Sequence, residues 1–183
     1  MKWQRRLARK NWHLAKAIYR WNQVPLTGQP SDLIWYFAFG SNLHDSAFRD
    51  RRGMRPSRVS IGRLPGYRLR FNLDGYPRGK SAPANVSPCP DGEVWGALYQ
   101  ITRRALVTLD STEGVPGRSY RHLWVDVEVP DGNPVHAVTY MADGKPEDGR
   151  PSLRYITLIR EGARAHGLPA QWLEMLDGVQ HAE

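Results

Sequence analysis

The residues best suited to chemistry stand in one short string, Tyr36-Phe37-Ala38-Phe39-Gly40-Ser41-Asn42-Leu43. A run that favours strand passes directly into Gly-Ser-Asn, which reads as a strand ending in a tight loop with unpaired amides. Gly40 has no Cβ, so a ligand can come close to the backbone. Successive free N–H groups at such a turn form a small concavity for a carboxylate or a developing oxyanion. Ser41 and Asn42 add side-chain hydrogen-bonding groups. An ordinary strand-to-turn junction uses the same residue types, so this string alone leaves both readings open. A second segment, Leu109-Asp110-Ser111-Thr112-Glu113-Gly114-Val115, supplies a carboxylate. Glu113 falls at the expected C-terminal end of a helix, where the backbone dipole is negative and disfavours an ionised carboxylate. Burial against Val115 would act in the same direction, and such a carboxylate makes a useful general base near neutral pH. A glutamate on an exposed helix end would look the same in sequence.

Taken together, the two segments resemble the gamma-glutamylcyclotransferase (AIG2-like) family, in which a Phe-Ala-Tyr-Gly-Ser-Asn-Leu string opens the domain and a catalytic Glu directly precedes Gly-Val. Further matches follow in the same order: Asp91-Gly92-Glu93-Val94-Trp95-Gly96, Pro151-Ser152-Leu153-Arg154-Tyr155 and Gly167-Leu168-Pro169. The resemblance spans roughly Leu33 to Val179, and several motifs in register carry far more weight than one. It implies an enzyme in which the α-amine of a γ-glutamyl group attacks its own side-chain amide, releasing 5-oxoproline and a free amino acid or amine. It also implies Glu113 as general base and then general acid. The backbone of Tyr36, Phe37, Ala38, Phe39, Gly40 and Ser41 would cradle the γ-glutamyl group, with the Gly40 and Ser41 amides as anion donors. Tyr155 matches the family's substrate-binding tyrosine. Asn42 would either organise the loop or bond its own backbone as turn asparagines do. The substrate is a small molecule and no cofactor is called for. A γ-glutamyl acyltransferase or amidohydrolase acting on a specialised metabolite is the alternative within enzymes. A non-catalytic ligand-binding or scaffold module is the alternative outside them.

The Gly-Ser-Asn string favours the branch that resembles enzymes for γ-glutamyl amino acids or γ-glutamylated metabolites. The Gly-Thr-Leu string of the γ-glutamylamine branch and the Gly-Tyr-Gly-Ser-Leu string of the glutathione-specific branch are not found in this chain. Two departures bear on specificity. Phe39 stands where many relatives have Tyr, and a Gly-Gly-x-Ala segment is replaced by Ser81-Ala82-Pro83-Ala84, where Pro83 removes an amide donor. The leaving-group side is therefore expected to be unusual. Weaker candidates are Tyr120 and Arg121 as pocket lining, Arg78 and Lys80 as carboxylate partners, and the Gly- and Pro-rich stretch Asp143–Arg150 as a lid or a plain solvent loop. Trp95 reads as core rather than ligand platform.

These groups need a scaffold, and the pattern expects an α+β fold: a small mixed β-barrel with a few packed helices, preceded by an amphipathic helix. Strands are expected over 34–39, 58–63, 67–72, 84–87, 94–101, 120–129 and 135–141, with Leu64-Pro65-Gly66 as a hairpin turn. Thr102 should cap a helix over 103–112 that Gly114 closes. Ser152 should cap a second, ended by Gly167, and Pro169 should open a third that stops at Gly178. Residues 1–30 form a separate segment and 31–183 the domain.

At 183 residues the chain is long enough for one core. Its net charge of +8 misleads, because residues 1–21 hold seven bases and no acid, leaving the remainder close to neutral. The domain thus offers no footprint for nucleic acid. The basic helix, with Trp3, Leu7, Leu14, Ile18 and Trp21 on one side, could dock on its own domain or on a second subunit of a homodimer. It could also bind an acidic membrane surface or partner, or serve as a targeting segment. No apolar run reaches the roughly 20 residues of a membrane span. The six histidines are scattered, so no metal site is expected. The single cysteine, Cys89, and the lack of a secretory signal point to the cytoplasm.

Overall fold

In the computed structural model, residues 28–75, 81–115, 119–130 and 132–182 are described. The helix expected over residues 1–21, its linker up to residue 27, and Arg78 and Lys80 lie outside the described residues.

Five strands form one sheet: β1 (Leu33–Ala38), β2 (Arg58–Arg70), β3 (Asn85–Thr102), β4 (Arg121–Val127) and β5 (Val135–Met141), in the order β2-β3-β1-β5-β4. The central strand β1 runs antiparallel to β3 and parallel to β5. Three helices accompany the sheet: α1 (Arg103–Glu113), α2 (Leu153–Ala165) and α3 (Ala170–Asp177). A 3-10 turn at Ser41–Leu43 and a π-type turn at Ser46–Arg51 follow β1.

The mixed α+β class is as expected, but the sheet is not a closed barrel. Its outer strands meet at a single antiparallel bridge, Arg63 with Glu128. Pro130, two residues on, has no N–H with which to continue a ladder. The expected hairpin at Leu64-Pro65-Gly66 is also absent. β2 runs straight through it and pairs with β3 on both sides, from Arg58↔Gln100 to Pro65↔Glu93 and from Tyr67↔Pro88 to Arg70↔Asn85. Gly66, at φ +77°, supplies a bulge and not a reversal. The two strands expected over 84–87 and 94–101 are likewise one. Pro88 and Pro90 are tolerated because β1 pairs with β3 only over Ala97–Thr102, leaving this stretch one neighbour.

The helix caps follow the sequence. Thr102 Oγ1 accepts from Ala105 N–H at 3.1 Å, and Gly114 closes α1 in the left-handed region. Ser152 Oγ accepts from Tyr155 N–H at 3.3 Å at the start of α2. Leu106 and Leu109 of α1, Ile156 and Ile159 of α2, and Val125, Val127, Ala137 and Val138 of the β4–β5 pair are buried around Phe37, Leu98 and Ile101. Among the described residues no helix is long and apolar enough to cross a membrane.

Candidate active site

The C-terminal end of β1, the end of α1 and the start of α2 meet at one place. Past Ala38 the chain enters the 3-10 turn, where Leu43 N–H bonds Gly40 O at 3.0 Å and His44 N–H bonds Ser41 O at 3.1 Å. The first amides of such a turn, those of Ser41 and Asn42, have no partner within it. The two carbonyls at the back of the turn are held from the other side. Tyr99 OH donates to Asn42 O at 3.2 Å, and His166 Nε2 lies 3.1 Å from Leu43 O and 2.7 Å from Tyr99 OH. A carbonyl only accepts, so Nε2 carries the imidazole proton. Burial lowers the pKa of His166, consistent with a neutral ring. α2 lies directly on this turn: a Cβ at Gly162 would come within 2.5 Å of the Leu43 carbonyl carbon.

Glu113 is the last residue of α1, and its Oε1 accepts from Arg52 Nη2 at 2.9 Å and from Asn42 Nδ2 at 3.2 Å. The same Asn42 Nδ2 donates to Tyr36 OH at 2.7 Å. An ionised carboxylate has no proton to give, so the asparagine atom facing it must be the amide nitrogen. Asn42 Oδ1 is enclosed and finds no donor among the described residues. Arg52 is further fixed by Nε to Thr112 Oγ1 at 3.1 Å. Among the described residues, both hydrogen bonds to the Glu113 carboxylate thus fall on Oε1.

Tyrosines surround this carboxylate. Tyr155 OH accepts from Ala84 N–H at 3.2 Å and is also hydrogen bonded by Ser41, while Tyr120 OH donates to Ala84 O at 2.8 Å. A Cβ built on Gly40 would sit 3.3 Å from Tyr155 OH and 3.4 Å from Ala84 Cβ. Burial raises the pKa values of Tyr36, Tyr120, Tyr140 and Tyr155, reinforced at Tyr140 chiefly by the neighbouring Asp110 and at the other three by the charge of Glu113, so all four present neutral hydroxyls. Behind α1, the fully buried Asp110 accepts on Oδ1 from His122 Nε2 at 2.7 Å and from Tyr140 OH.

Of the residues expected from sequence, Glu113, Tyr36 and Asn42 share one hydrogen-bonded cluster, and Gly40, Ser41 and Tyr155 another beside it. Phe37 and Ala38 are wholly buried, and the Phe37 ring packs on Phe39, with centroids 6.5 Å apart, rather than on the carboxylate. Tyr120 joins the cluster, whereas Arg121 turns outward to Asp143. Trp95 is half-buried against the core and bonds Glu93. The stretch 143–150 is exposed but bonded along the exit of β2, through Lys145 N–H to Asn72 O, Arg70 Nε to Asp148 and Gly149 N–H to Phe71 O. Sequence reading missed Arg52, whose only signal was the run of arginines just after the Gly-Ser-Asn turn. It also missed the Tyr99–His166 pair, which topology alone brings to the turn. Among the described residues no three His, Cys, Asp or Glu side chains are gathered to hold a metal.

The AIG2-like family profile matches residues 93–176, from β3 through Glu113 and Tyr155 into α3. A bovine protein named gamma-glutamylcyclotransferase is 31% identical, the match covering 85% of this chain and 83% of that one. The chain belongs to this family. The human gamma-glutamylcyclotransferase is 29% identical over 85% of this chain and 83% of its own. A solved structure named gamma-glutamyl cyclotransferase superposes with a TM-score of 0.73 at 26% identity, covering 83% of this chain and 90% of that one. Family members are enzymes, and this family chain brings a carboxylate, a cation and an amide turn to one place.

Proposed function

We propose that this γ-glutamyl cyclotransferase uses Glu113 to move the proton in an intramolecular acyl transfer that releases 5-oxoproline. The observation that carries the reading is the one-sided solvation of Glu113. Arg52 and Asn42 both bind Oε1, and among the described residues Oε2 accepts no hydrogen bond, which suits it to take a proton.

The γ-glutamyl group brings its own nucleophile, so no Ser or Cys nucleophile is needed. The protein must instead fold the glutamyl chain until the α-nitrogen faces the γ-carbonyl carbon. Gly40, Ser41 and the hydroxyl of Tyr155 line the proposed cradle, where the amides of the turn would bind the substrate's α-carboxylate or carbonyl oxygen. Asn42 Oδ1 is an acceptor to which an ammonium is a chemically matched donor. Oε2 of Glu113 removes a proton from the α-ammonium, and the freed lone pair forms the ring C–N bond. The carbonyl π electrons move to oxygen. As the oxyanion collapses, the bond to the leaving nitrogen breaks and Glu113 returns the proton to that nitrogen. The ring nitrogen, which still carries two hydrogens after attack, passes its second proton through Glu113 to the departing amine, so the products are 5-oxoproline and a protonated amine or zwitterionic amino acid, with Glu113 again ionised. Arg52 keeps the carboxylate in place through both proton transfers, and neutral Tyr36 holds Asn42.

Mass-spectrometric detection of 5-oxoproline from a panel of γ-glutamyl dipeptides and amines tests this. Wild type should produce it, and Glu113→Gln, which keeps the shape of the side chain, should lose about 10²–10⁴-fold in kcat with the fold intact. Free glutamate in place of 5-oxoproline would mean hydrolysis, and a Gln variant with most of its turnover would end the Glu113 mechanism.

A further inference from the structure

Trp124, Asp126 and Glu128 alternate along β4 and its exit, so their side chains share one face of the sheet. α1 covers that face at His122, whose Nε2 bonds Asp110, but two residues further on Trp124 is 45% exposed. Its indole stacks on the His136 ring of β5, with centroids 5.1 Å apart and planes 10° from parallel. His136 Nδ1 lies 2.7 Å from Asp126 Oδ1, and the Asp126 side chain is 71% exposed. Next along the face, Arg63 pairs with both Glu128 and Glu93, and Glu93 also accepts from Trp95 Nε1. The stripe therefore sets three carboxylates against one guanidinium, with an exposed indole at one end, on a domain that is close to neutral as a whole. It also lies on an edge strand: β4 meets β2 only at the Arg63–Glu128 bridge, and exposed edges are commonly covered.

We propose that this acidic, aromatic stripe is the docking surface of the chain's own N-terminal segment, residues 1–21. That segment carries seven bases and no acid, and the helical pattern sets Trp3, Leu7, Leu14, Ile18 and Trp21 on one side. It matches the stripe in both respects. Its lysines and arginines are complementary to Asp126, Glu128 and Glu93, and its apolar and cationic side chains both suit the face of the Trp124 indole. The connection is short enough. The described residues start at Gly28, in a turn where Gln29 N–H bonds Asp32 Oδ2 at 2.7 Å, and this turn leads into β1 at Leu33. β1 and β5 run parallel with Trp35 opposite Ala137, which sets Ile34 beside His136, about 5 Å away across the sheet. Residues 22–27 span up to about 20 Å when extended, which carries the segment from that turn onto Trp124 and Asp126.

Zero-length carbodiimide cross-linking of the full chain, read by mass spectrometry on an equal mixture of isotopically light and heavy protein, tests this. Lys2, Lys10 or Lys16 should link to Asp126, Glu128 or Glu93 within one chain. The Lys145–Asp74 ion pair supplies a control link that shows the chemistry has worked. Stripe links found only between light and heavy chains put a second copy on this face and overturn docking within the chain. With the control link formed, segment lysines that stay unlinked, or link only to other acids, overturn the docking surface itself. A second measurement uses Trp124→Ala combined with Asp126→Asn, neither of which belongs to the proposed active site. Tryptic cleavage within residues 1–21 of the full chain follows the undocked population and should quicken at least about fivefold in this variant, with the melting temperature within a few degrees of wild type. Equal cleavage rates in wild type and the folded variant overturn the part assigned to Trp124 and Asp126.

Discussion

Arg52 and Glu113 form an ion pair, Nη2 to Oε1 at 2.9 Å, with side chains only 13% and 16% exposed. Arg52 reaches it from the loop after the π-type turn, and Glu113 from the end of α1. The helix end alone would oppose a negative charge at Glu113, and the guanidinium supports it. Two opposing influences therefore meet on one carboxylate, and only one of them is visible in a helix pattern.

Replacing Arg52 by Met should expose that balance. The carboxylate would remain shielded without its cation, which costs roughly 3 kcal/mol when a buried pair loses one member. kcat should fall about 10–100-fold. Arg52→Lys keeps the charge but cannot span Thr112 Oγ1 and Glu113 Oε1 with one planar fork, so it should recover only part of both losses. Urea denaturation beside 5-oxoproline kinetics reads both quantities, and an Arg52→Met protein with normal kcat would remove Arg52 from the mechanism.

Gly40→Ala separates function from fold. The backbone there, φ −107° and ψ −148°, does not require glycine, and an added Cβ would stand 3.3 Å from Tyr155 OH and 3.4 Å from Ala84 Cβ. That is tight but adjustable, so the melting temperature should stay within a few degrees. The methyl would nonetheless occupy the proposed cradle, and kcat/KM should drop at least about tenfold, since small misplacements of substrate are costly in a near-attack geometry. Full activity in Gly40→Ala would place the γ-glutamyl group elsewhere.

Much of this arrangement was legible in the chain before its fold was known. The caps at Thr102, Gly114 and Ser152 follow from local chemistry that acts within four residues, and they fix where Glu113 and Tyr155 emerge. What escaped was non-local. Gly66 sits in a Pro-Gly pair that signals a turn, yet a long partner strand made it a bulge, because pairing on both sides outweighs turn propensity. Arg52 was one arginine among several, and nothing in its neighbours says which one meets Glu113. The same holds for Tyr99 and His166, 67 positions apart.

That pair gives a pH-dependent prediction. Burial lowers the pKa of His166 below its ordinary value near 6.5. The unfolded chain therefore takes up this proton more readily than the folded one. The stability that depends on a neutral His166 is complete above about pH 6.5 and is lost as the pH falls toward the lowered folded value. His166→Gln retains an amide donor for Leu43 O but has no such titration, so its melting temperature should fall less steeply between about pH 6.5 and 5 than that of wild type. Parallel slopes would mean that other groups set the acid sensitivity. His166→Leu, which has no donor, should raise KM for the γ-glutamyl substrate more than it lowers kcat, because the turn it releases is a binding element.

Asp110 offers the sharpest test of how Glu113 is aimed. It lies one helical turn before Glu113 on α1, has no exposed surface, and accepts from both His122 and Tyr140. Bonds to a charged acceptor contribute about 1.5–3 kcal/mol each, more than neutral ones. Asp110→Asn keeps the shape and one acceptor oxygen but removes the charge, so stability should fall by roughly 2–3 kcal/mol in urea. The end of α1 would then be less firmly tied to β4 and β5, and kcat should fall several-fold with KM nearly unchanged, because the cradle itself rests on β1 and α2. Rescue should be absent in Asp110→Leu, which leaves the Tyr140 hydroxyl and the His122 ring without their acceptor. If Asp110→Asn matches wild type in both stability and kcat, the anchor of α1 lies in its apolar face, in Leu106 and Leu109, and not in this buried carboxylate.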